Sequence, residues 1–466
     1  MMKNIAISFI ILLLIFSCKE NKENENPKFD LIITNAKIVD VQNNEIQNKK
    51  FIAIKNDTIR LVGDMKDFDD HKANEKLDAN NKYVMPGLWD MHVHFRGGDS
   101  LRKENKDLLG LFLAFGITTV RDAGGDISTS VLNWKKQVGE NSLAGPDIFS
   151  SGPKLDGENP AWEGSLPVST SEEINHALDS LENMKVDYVK IYDGSLREET
   201  YYEILKQAEK RGLKTTSHVP LSANLQKAID LGLDGVEHMY YIAKAGSPIA
   251  DSLSKTDLGY GMMPYIFDTF DKDLAKQVYQ KLASENVSVT PTLHIGKVLS
   301  NVADEDHSQD SLRNYIGKGI QETYKGRIES AKRAKASGST MRERMKELAA
   351  SMIVPMFENG VNILAGSDSG AFNSFVYSGE SLHAELEALV EAGLTPAQAL
   401  QTSIINGPKF FELEKFFGSL EKGKVADIIV LDENPLEYIK NTRSIDRVIK
   451  NHKIYTPGTL LKPLKD

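Results

Sequence analysis

The sequence predicts an α/β protein whose main domain is a (β/α)8 TIM barrel, with a small β-sandwich domain built from both chain ends. Between residues 84 and 414, apolar β-rich runs alternate with segments of helical length, which is the pattern of βα units around a parallel sheet. The flanks, residues 29–83 and 415–466, carry short strand-like runs broken by turns such as Asn43-Asn44 and Asn434-Pro435.

The first element is a leader of the secretory type in residues 1–17. Lys3 precedes an apolar run from Ile5 to Phe16, roughly 12 residues long and too short to span a bilayer as a mature helix. Its end, with the single cysteine Cys18, resembles a bacterial lipobox, so Cys18 is the expected lipidation site; an uncleaved anchor or a buried free cysteine is the alternative. Residues 18–28 are polar and read as a flexible tether. We therefore expect an exported protein, held on a bacterial membrane only by its N-terminal lipid.

The barrel region contains eight strand-like runs, and polar residues follow where each apolar run stops. Active sites of this fold lie at the carboxyl ends of the strands, so these polar residues are expected to meet at one mouth. The predicted strands span residues 84–95, 117–122, 146–151, 188–192, 215–218, 235–238, 288–294 and 361–365.

Histidines and one aspartate supply a candidate metal site. His92 and His94 stand two residues apart on a strand, so both imidazoles project from one face, although such a pair also occurs by chance. His218 and His238 end two later strands, and Asp368 follows the last. Nitrogen and oxygen donors without thiolate suit zinc, with Mn, Fe, Co and Ni as alternatives.

Lys190 interrupts the apolar strand Val189-Lys190-Ile191-Tyr192, where a buried cation is costly. It must be paired, neutralised or modified there. Carboxylation by carbon dioxide would convert it to a carbamate, an anionic ligand able to bridge two metals. A surface or ion-paired lysine is the alternative.

Longer motifs in the chain resemble the amidohydrolase superfamily, from about Leu31 to Tyr455. They are VMPGLWDMHVH at 84–94, GITTVRD at 116–122, EH at 237–238, GSDSG at 366–370 and GSLEKGKVAD at 418–427. The strand VKIY at 189–192, LHAEL at 382–386 and GLTP at 393–396 are similar to the imidazolonepropionase-like and Xaa-Pro dipeptidase-like branch. The resemblance implies two divalent metal ions, with zinc expected, held by His92, His94, carboxylated Lys190, His218, His238 and Asp368.

The activity expected from such a centre is hydrolysis of a carbon–nitrogen bond in an amide, peptide or cyclic amide, including dipeptidase or prolidase activity. A metal-bridging hydroxide would attack the carbonyl, and Asp368 would carry its proton to the leaving amine. A lactonase or phosphotriesterase on the same centre stays open, because fold and metals do not define the electrophile. A non-catalytic metal-binding surface lipoprotein is the third alternative.

Substrate contacts are expected from loops beyond the strands. His294, at the end of the seventh run, could bond a substrate carbonyl or carboxylate, or be an ordinary wall residue. Tyr240 resembles the tyrosine that contacts the substrate carboxylate in dipeptidase-like relatives. Trp162 could stack on substrate or serve packing. Arg121 and Asp122 are expected to form a structural pair near the barrel mouth.

Several further observations limit the alternatives. The formal charge of −10, from 66 acidic and 56 basic residues, argues against a nucleic-acid partner. The expected partner is a small-molecule or dipeptide-like substrate, and a homo-oligomer is a family-level expectation. His383 is predicted to be a surface or near-surface histidine. A stripe at helical spacing predicts a helix that faces the core, with Met341, Met345, Leu348, Met352, Ile353 and Met356.

Overall fold

The computed structural model describes residues 29–461, except residues 70 and 257. The predicted leader in residues 1–17 and the tether in residues 18–28, including Cys18, lie outside the described residues. Within the described ranges, none of the helices combines the length and the apolar composition needed to cross a bilayer.

The strands of the described chain fall into two groups, one at the chain ends and one between them. In chain order they are β1 (Phe29–Asp40), β2 (Glu45–Lys55), β3 (Thr58–Asp64), β4 (Ala73–Asp78), β5 (Tyr83–Pro86), β6 (Leu88–Val93), β7 (Ile117–Asp122), β8 (Asp147–Ser150), β9 (Leu155–Asp156), β10 (Leu166–Pro167), β11 (Val189–Ile191), β12 (Thr215–Ser217), β13 (Gly235–Glu237), β14 (Ser288–Thr290), β15 (Ile428–Leu431), β16 (Ile445–Lys450) and β17 (Lys453–Tyr455).

Most of the longer helices follow the central strands, as expected for βα units. The helices are α1 (Arg102–Ala114), α2 (Ser128–Gly139), α3 (Ser171–Met184), α4 (Glu198–Arg211), α5 (Leu225–Asp230), α6 (Tyr240–Ala245), α7 (Ala250–Leu253), α8 (Met263–Thr269), α9 (Lys272–Ser284), α10 (Leu293–Asn301), α11 (Lys318–Glu322), α12 (Lys325–Ala336), α13 (Met341–Glu358), α14 (Glu380–Glu391), α15 (Pro396–Ile404), α16 (Asn406–Phe410) and α17 (Pro457–Leu460).

The two chain ends share one eight-stranded sheet, in the order β17-β16-β15-β5-β1-β2-β3 with β4 beside β1. Pairing between β5 and β15 is antiparallel and joins the two ends directly. Buried aliphatic side chains from both ends pack together here, among them Ile33, Ile54, Ile428 and Ile449. The strands of the two ends therefore belong to a single hydrogen-bonded sheet.

The central strands form two parallel sheets in a TIM-barrel-like α/β arrangement. One has the order β6-β7-β8, and the other has the order β10-β9-β11-β12-β13-β14. Single parallel bridges, Val93 to Ser369 and Val289 to Ile363, lie between these sheets and the chain around residue 365. Regular ladders among the described residues do not close the two sheets into one barrel.

The eighth predicted strand, residues 361–365, is wrong as a regular strand and contributes only the bridge at Ile363. Its backbone bonds go to three different elements, which prevents a ladder. Leu364 N–H donates to Val289 of β14, Ala365 N–H donates to Thr402 of α15, and the Ala365 carbonyl accepts from Met91 of β6.

The first predicted run is also divided, because residues 84–95 contain both β5 and β6. Gly87 separates them, and its N–H donates to the Asp427 carbonyl, 2.9 Å away. A Cβ at Gly87 would lie 2.2 Å from the Thr118 hydroxyl, so only glycine allows this close approach. The chain thus passes from the end sheet to the first histidine-bearing strand at Gly87.

Candidate metal centre

The six predicted ligands come from strands or from the residues that follow them. His92 lies in β6 and His94 follows it, Lys190 lies within β11, and His218 and His238 directly follow β12 and β13. Asp368 follows the Ile363 bridge, and its N–H donates to the His92 carbonyl at 2.7 Å. Parallel strands present their carboxyl ends at one edge, which brings these residues together.

The donor atoms lie within a few ångströms of one another. The Nε2 atoms of His92 and His94 are 3.3 Å apart, and those of His218 and His238 are 3.1 Å apart. Asp368 Oδ1 lies 3.3 Å from His94 Nε2 and 3.6 Å from His92 Nε2, and its Oδ2 lies 3.9 Å from His238 Nε2. His92, His238 and Asp368 each offer one ligand atom within 4.8 Å of the others.

The opposite ring nitrogens have acceptors that orient the imidazoles. His92 Nδ1 lies 2.7 Å from Glu237 Oε2, and His94 Nδ1 lies 3.1 Å from the Gly124 carbonyl. A carbonyl or a carboxylate can only accept, so each Nδ1 carries a hydrogen and the two Nε2 atoms face each other. Two nitrogen lone pairs that face each other can both bind one cation. Two nitrogens that each lie roughly 2.0–2.1 Å from one zinc ion are separated by about the distance between the Nε2 atoms of His92 and His94. The residues therefore fit a divalent metal.

The charge states of the donors suit metal binding. Burial holds the pKa of His94, His218 and His238 well below its usual value, so these rings are neutral. Burial would raise the pKa of Asp368, but His92, His94 and His238 outweigh it and hold that pKa well below the usual range. The cluster thus combines neutral nitrogen donors with an anionic oxygen donor.

Lys190 is fully buried, in agreement with its position inside a strand. Its Nζ lies 3.4 Å from Glu237 Oε1, and within the described part of the chain it has no hydrogen-bond partner of adequate geometry. Burial, which Glu237 only partly offsets, lowers the pKa of Lys190 to about 8. A neutral amine is the form that reacts with carbon dioxide, so the residue fits carboxylation.

The expected pair between Arg121 and Asp122 is wrong. Arg121 instead donates to both oxygens of Glu237, at 2.8 and 2.9 Å, while Asp122 accepts from the Ser150 hydroxyl at 2.8 Å. Successive residues of a strand point to opposite faces, which separates the two side chains. Arg121, Lys190 and His92 together outweigh burial and hold the pKa of Glu237 well below its usual range.

Three residues with supporting roles were missed from the sequence. Asn373 donates to Asp368 Oδ1 at 2.8 Å, and the Thr292 hydroxyl lies 2.6 Å from His238 Nδ1. Asp193 Oδ1 lies 3.6 Å from His218 Nδ1. His238, Thr292 and Asp368 have φ of 64°, 51° and 56°, a left-handed conformation that non-glycine residues rarely adopt and that clusters at functional sites. The sequence carries no local signal for these contacts.

A cavity of about 320 Å³ adjoins His218, His238 and Asp368. Tyr240 lines it, together with Tyr192 and with Met341 and Met345 of α13. Its remaining wall includes the cations Arg327, Arg342 and Lys346. The structure therefore places Tyr240 in the wall of the cavity beside the metal centre.

His294 and His383 lie elsewhere. The seventh strand ends at Thr290, so His294 belongs to the first turn of α10, while its neighbours Leu293 and Ile295 line the cavity.

The prediction that His383 is near the surface is wrong, because the residue is fully buried. Its ring nitrogens lie 2.8 Å from the Thr442 hydroxyl and 2.9 Å from the Phe115 carbonyl. It joins α14 to the C-terminal segment.

A TIM-barrel-like fold with buried histidines and an aspartate at its strand ends defines a metal-binding hydrolase. The chain belongs to the Amidohydrolase family, which matches residues 83–455. The ochratoxinase of Aspergillus niger is 22% identical over 439 residues, covering 80% of this chain and 76% of that protein. The imidazolonepropionase of Christiangramia forsetii is 22% identical over 429 residues, covering 87% and 91% of the two chains.

Solved structures show the same fold. A putative prolidase from Bifidobacterium longum superposes with a TM-score of 0.66 at 21% identity, covering 92% of this chain and 95% of that one. A Xaa-Pro dipeptidase with bound methionine gives a TM-score of 0.64 at 19% identity, covering 91% and 99%. Family and relatives together identify an enzyme that hydrolyses carbon–nitrogen bonds.

Proposed function

We propose that this amidohydrolase cleaves amide or peptide bonds of small dipeptide-like substrates with a binuclear metal centre. The observation that carries the proposal is the group of facing imidazole nitrogens, 3.3 Å apart for His92 and His94 and 3.1 Å apart for His218 and His238, with Asp368 between the pairs. Zinc is the proposed ion, and Lys190, as a carbamate, would be one of the residues that hold it.

Two divalent cations in this site would supply Lewis acidity that polarises a carbonyl and acidifies a water molecule. Asp368 is the residue that moves the proton. The pKa of Asp368 lies well below its usual range, so the group is a carboxylate that can accept the proton of the attacking water and give it to the leaving amine. Asn373 donates to Oδ1 and thereby holds the carboxylate in one orientation.

The cavity beside the centre supports a small substrate. Its volume, about 320 Å³, is within the range of small-molecule sites. Tyr240, Met341 and Met345 offer an apolar surface for a side chain of the substrate. Tyr240 is the proposed contact from the first turn of α6, whereas the position of His294 gives no support to a substrate contact.

We further propose a (β/α)8 barrel with eight strand positions. They are β6, β7, β8, β11, β12, β13, β14 and the segment around Ile363. The bridges from Val93 to Ser369 and from Val289 to Ile363 support this arrangement. The bond from Asp187 N–H to the Ser150 carbonyl, 2.9 Å long, supports contact between β8 and the chain entering β11.

A substrate panel tests the proposed activity. Zinc-loaded protein would be assayed by mass spectrometry with Xaa-Pro and other dipeptides, N-acyl amino acids, hydantoins, lactones and phosphotriesters. We expect turnover of amide or peptide substrates, with a loss of at least about 100-fold in kcat in Asp368→Asn, since proton transfer contributes about that much. Turnover confined to lactones or phosphotriesters would reject the proposal.

A further inference from the structure

Two cationic side chains are buried beside the metal centre. Arg96 follows His94 by two residues, and Lys154 immediately precedes β9. Only 4% of Arg96 and 2% of Lys154 is exposed. Neither side chain is needed for the proton transfer assigned to Asp368, so their burial needs a separate explanation.

Neither cation has a counter-ion among residues 29–461 with 70 and 257 set aside. No carboxylate of that region lies within 4.0 Å of Arg96 or Lys154; Asp126 accepts from Gly97 N–H instead, at 2.9 Å. Arg96 Nε donates to the Ala371 carbonyl at 2.9 Å, and Lys154 Nζ makes no hydrogen bond within the same region. A buried cation without an anion is costly unless a ligand supplies the missing charge.

Trp162 holds the two cations close together. Its ring centroid lies 4.2 Å from the Arg96 guanidinium carbon and 5.1 Å from Lys154 Nζ, within the range of cation–π contacts. The ring centroid of Tyr192 lies 5.6 Å from Lys154 Nζ. Aromatic faces orient the cations, but they do not neutralise them. We call Arg96, Lys154 and Trp162 the cationic subsite.

The cationic subsite adjoins the metal centre on the side of His94. A Cβ at Gly124 would lie 2.9 Å from Lys154 Cγ, and the Gly124 carbonyl accepts from His94 Nδ1. Tyr192 connects the subsite to the other histidines, because its ring centroid is 4.5 Å from that of His218. A carboxylate held by these two cations would therefore lie on the His94 side of the metal centre.

We propose that Arg96 and Lys154 bind the free carboxylate of an acylated amino acid or dipeptide whose amide bond is cleaved at the neighbouring centre. A planar guanidinium matches the two oxygens of a carboxylate, and an ammonium adds a second charged donor. The inference rests on the proposed function and names its substrate class. The competing explanation is that the two cations only balance the negative charge of Asp368 and of a carbamate on Lys190.

The test compares N-acetyl-L-leucine with N-acetyl-L-leucinamide, which has the same acyl group and side chain but no charge. In Lys154→Met we expect KM for N-acetyl-L-leucine to rise about 10- to 100-fold, since a hydrogen bond between charged groups is lost. KM for the amide should change less than about twofold, and kcat should stay similar for both, because Asp368 is untouched. Lys154→Arg should restore part of the discrimination.

Lys136→Met removes one positive charge from the exposed face of α2 and serves as the matched control. Circular dichroism and thermal unfolding would show whether Lys154→Met is folded, and Lys154→Arg provides the second variant if it is not. An equal loss for the two substrates, or a parent enzyme that does not prefer the carboxylate, would overturn the inference and favour charge balance.

Binding separates this inference from the proposed activity. If zinc-loaded parent protein hydrolyses neither compound, the activity fails for this substrate class, and calorimetry with N-acetyl-L-leucine still tests the subsite. Binding by the parent that weakens about 10-fold or more in Lys154→Met, and less in Lys154→Arg, but not in Lys136→Met, supports the subsite. No binding by the parent, or equal binding by the parent and Lys154→Met, rejects it.

Discussion

Lys190 is fully buried and its Nζ lies beside Glu237, and we expect its substitution to remove metal. Parent protein should contain about two divalent ions per chain, as two-metal hydrolases do. Lys190→Ala should contain one or fewer and should lose activity, because the carbamate proposed as a metal ligand cannot form. Metal content would be measured by mass spectrometry after dialysis with and without bicarbonate.

Lys136→Ala, on the exposed face of α2, is the control for the loss of one lysine. Acetate or propionate added to Lys190→Ala should restore part of the metal content, since a small carboxylate can occupy the place of the carbamate. Full metal and full activity in Lys190→Ala without any addition would show that Lys190 is not a ligand.

Glu385 gives a prediction for pH dependence. It accepts from Leu293 and His294 N–H at 2.9 and 2.6 Å, and burial raises its pKa from 4.5 to about 8. Between these values the folded protein holds a proton that the unfolded chain has released, so this group lowers stability as pH rises, by about 1.4 kcal/mol per pH unit. Above about 8 both states are ionised and the effect is constant.

Glu385→Gln removes this titration, so its free energy of unfolding should fall less steeply between pH 5 and 8 than that of the parent. Urea denaturation at several pH values measures the two slopes. Glu199→Gln, on the exposed part of α4, controls for the loss of one surface carboxylate. Identical slopes for parent and Glu385→Gln would contradict the raised pKa.

Residues at strand ends could be predicted from sequence because their position follows from strand composition alone. That reasoning located His92, His94, His218 and His238, which the structure brings together. It missed the pairing of Arg121 with Glu237 and the bond from Asn373 to Asp368. Both depend on the exact register of distant or irregular backbone, for which one sequence carries no local signal.

The helix α13 carries the apolar stripe that the sequence predicts. Met345, Met352, Ile353 and Met356 are buried, which confirms the stripe as a core-facing surface. Met352→Ala should lower the free energy of unfolding by about 2–5 kcal/mol through lost burial and a residual cavity. Chemical denaturation measures the change.

Glu347→Ala, on the exposed side of the same helix, is the control and should change stability by less than about 0.5 kcal/mol. Similar losses in both variants would mean that helix propensity rather than packing dominates at α13. No loss in Met352→Ala would contradict its role in the core.

The elements that sequence reasoning misjudged are those whose bonds are shared among several partners. Residues 361–365 have the composition of a strand, but Ala365 bonds to α15 and to β6 rather than to one neighbour. Similarly, the strand that was expected to end at His294 ends at Thr290. Thr292 then adopts a φ of 51° and directly precedes α10. The amino-acid composition of a segment predicts that it is buried. It does not predict which backbone groups its own backbone will hydrogen-bond.

For the whole molecule, lipid anchoring at Cys18 stays a proposal from the sequence. We expect the parent, expressed in a bacterial host, to incorporate labelled palmitate and to enter the detergent phase of Triton X-114. Cys18→Ala should do neither, because the thiol that would be acylated is gone. Ser17→Ala keeps a small residue before the cysteine and is the control. Labelling that is equal in parent and Cys18→Ala would reject lipidation at this site.

The antiparallel pairing of β5 with β15 has a consequence for the order in which the chain folds. Pro86 pairs with Ile428, and β5 continues within two residues into the strand that carries His92. His92 therefore cannot reach its final support until β15 has been synthesised. Contacts between such remote segments slow folding, so catalytic competence should not appear before β15 has joined the sheet.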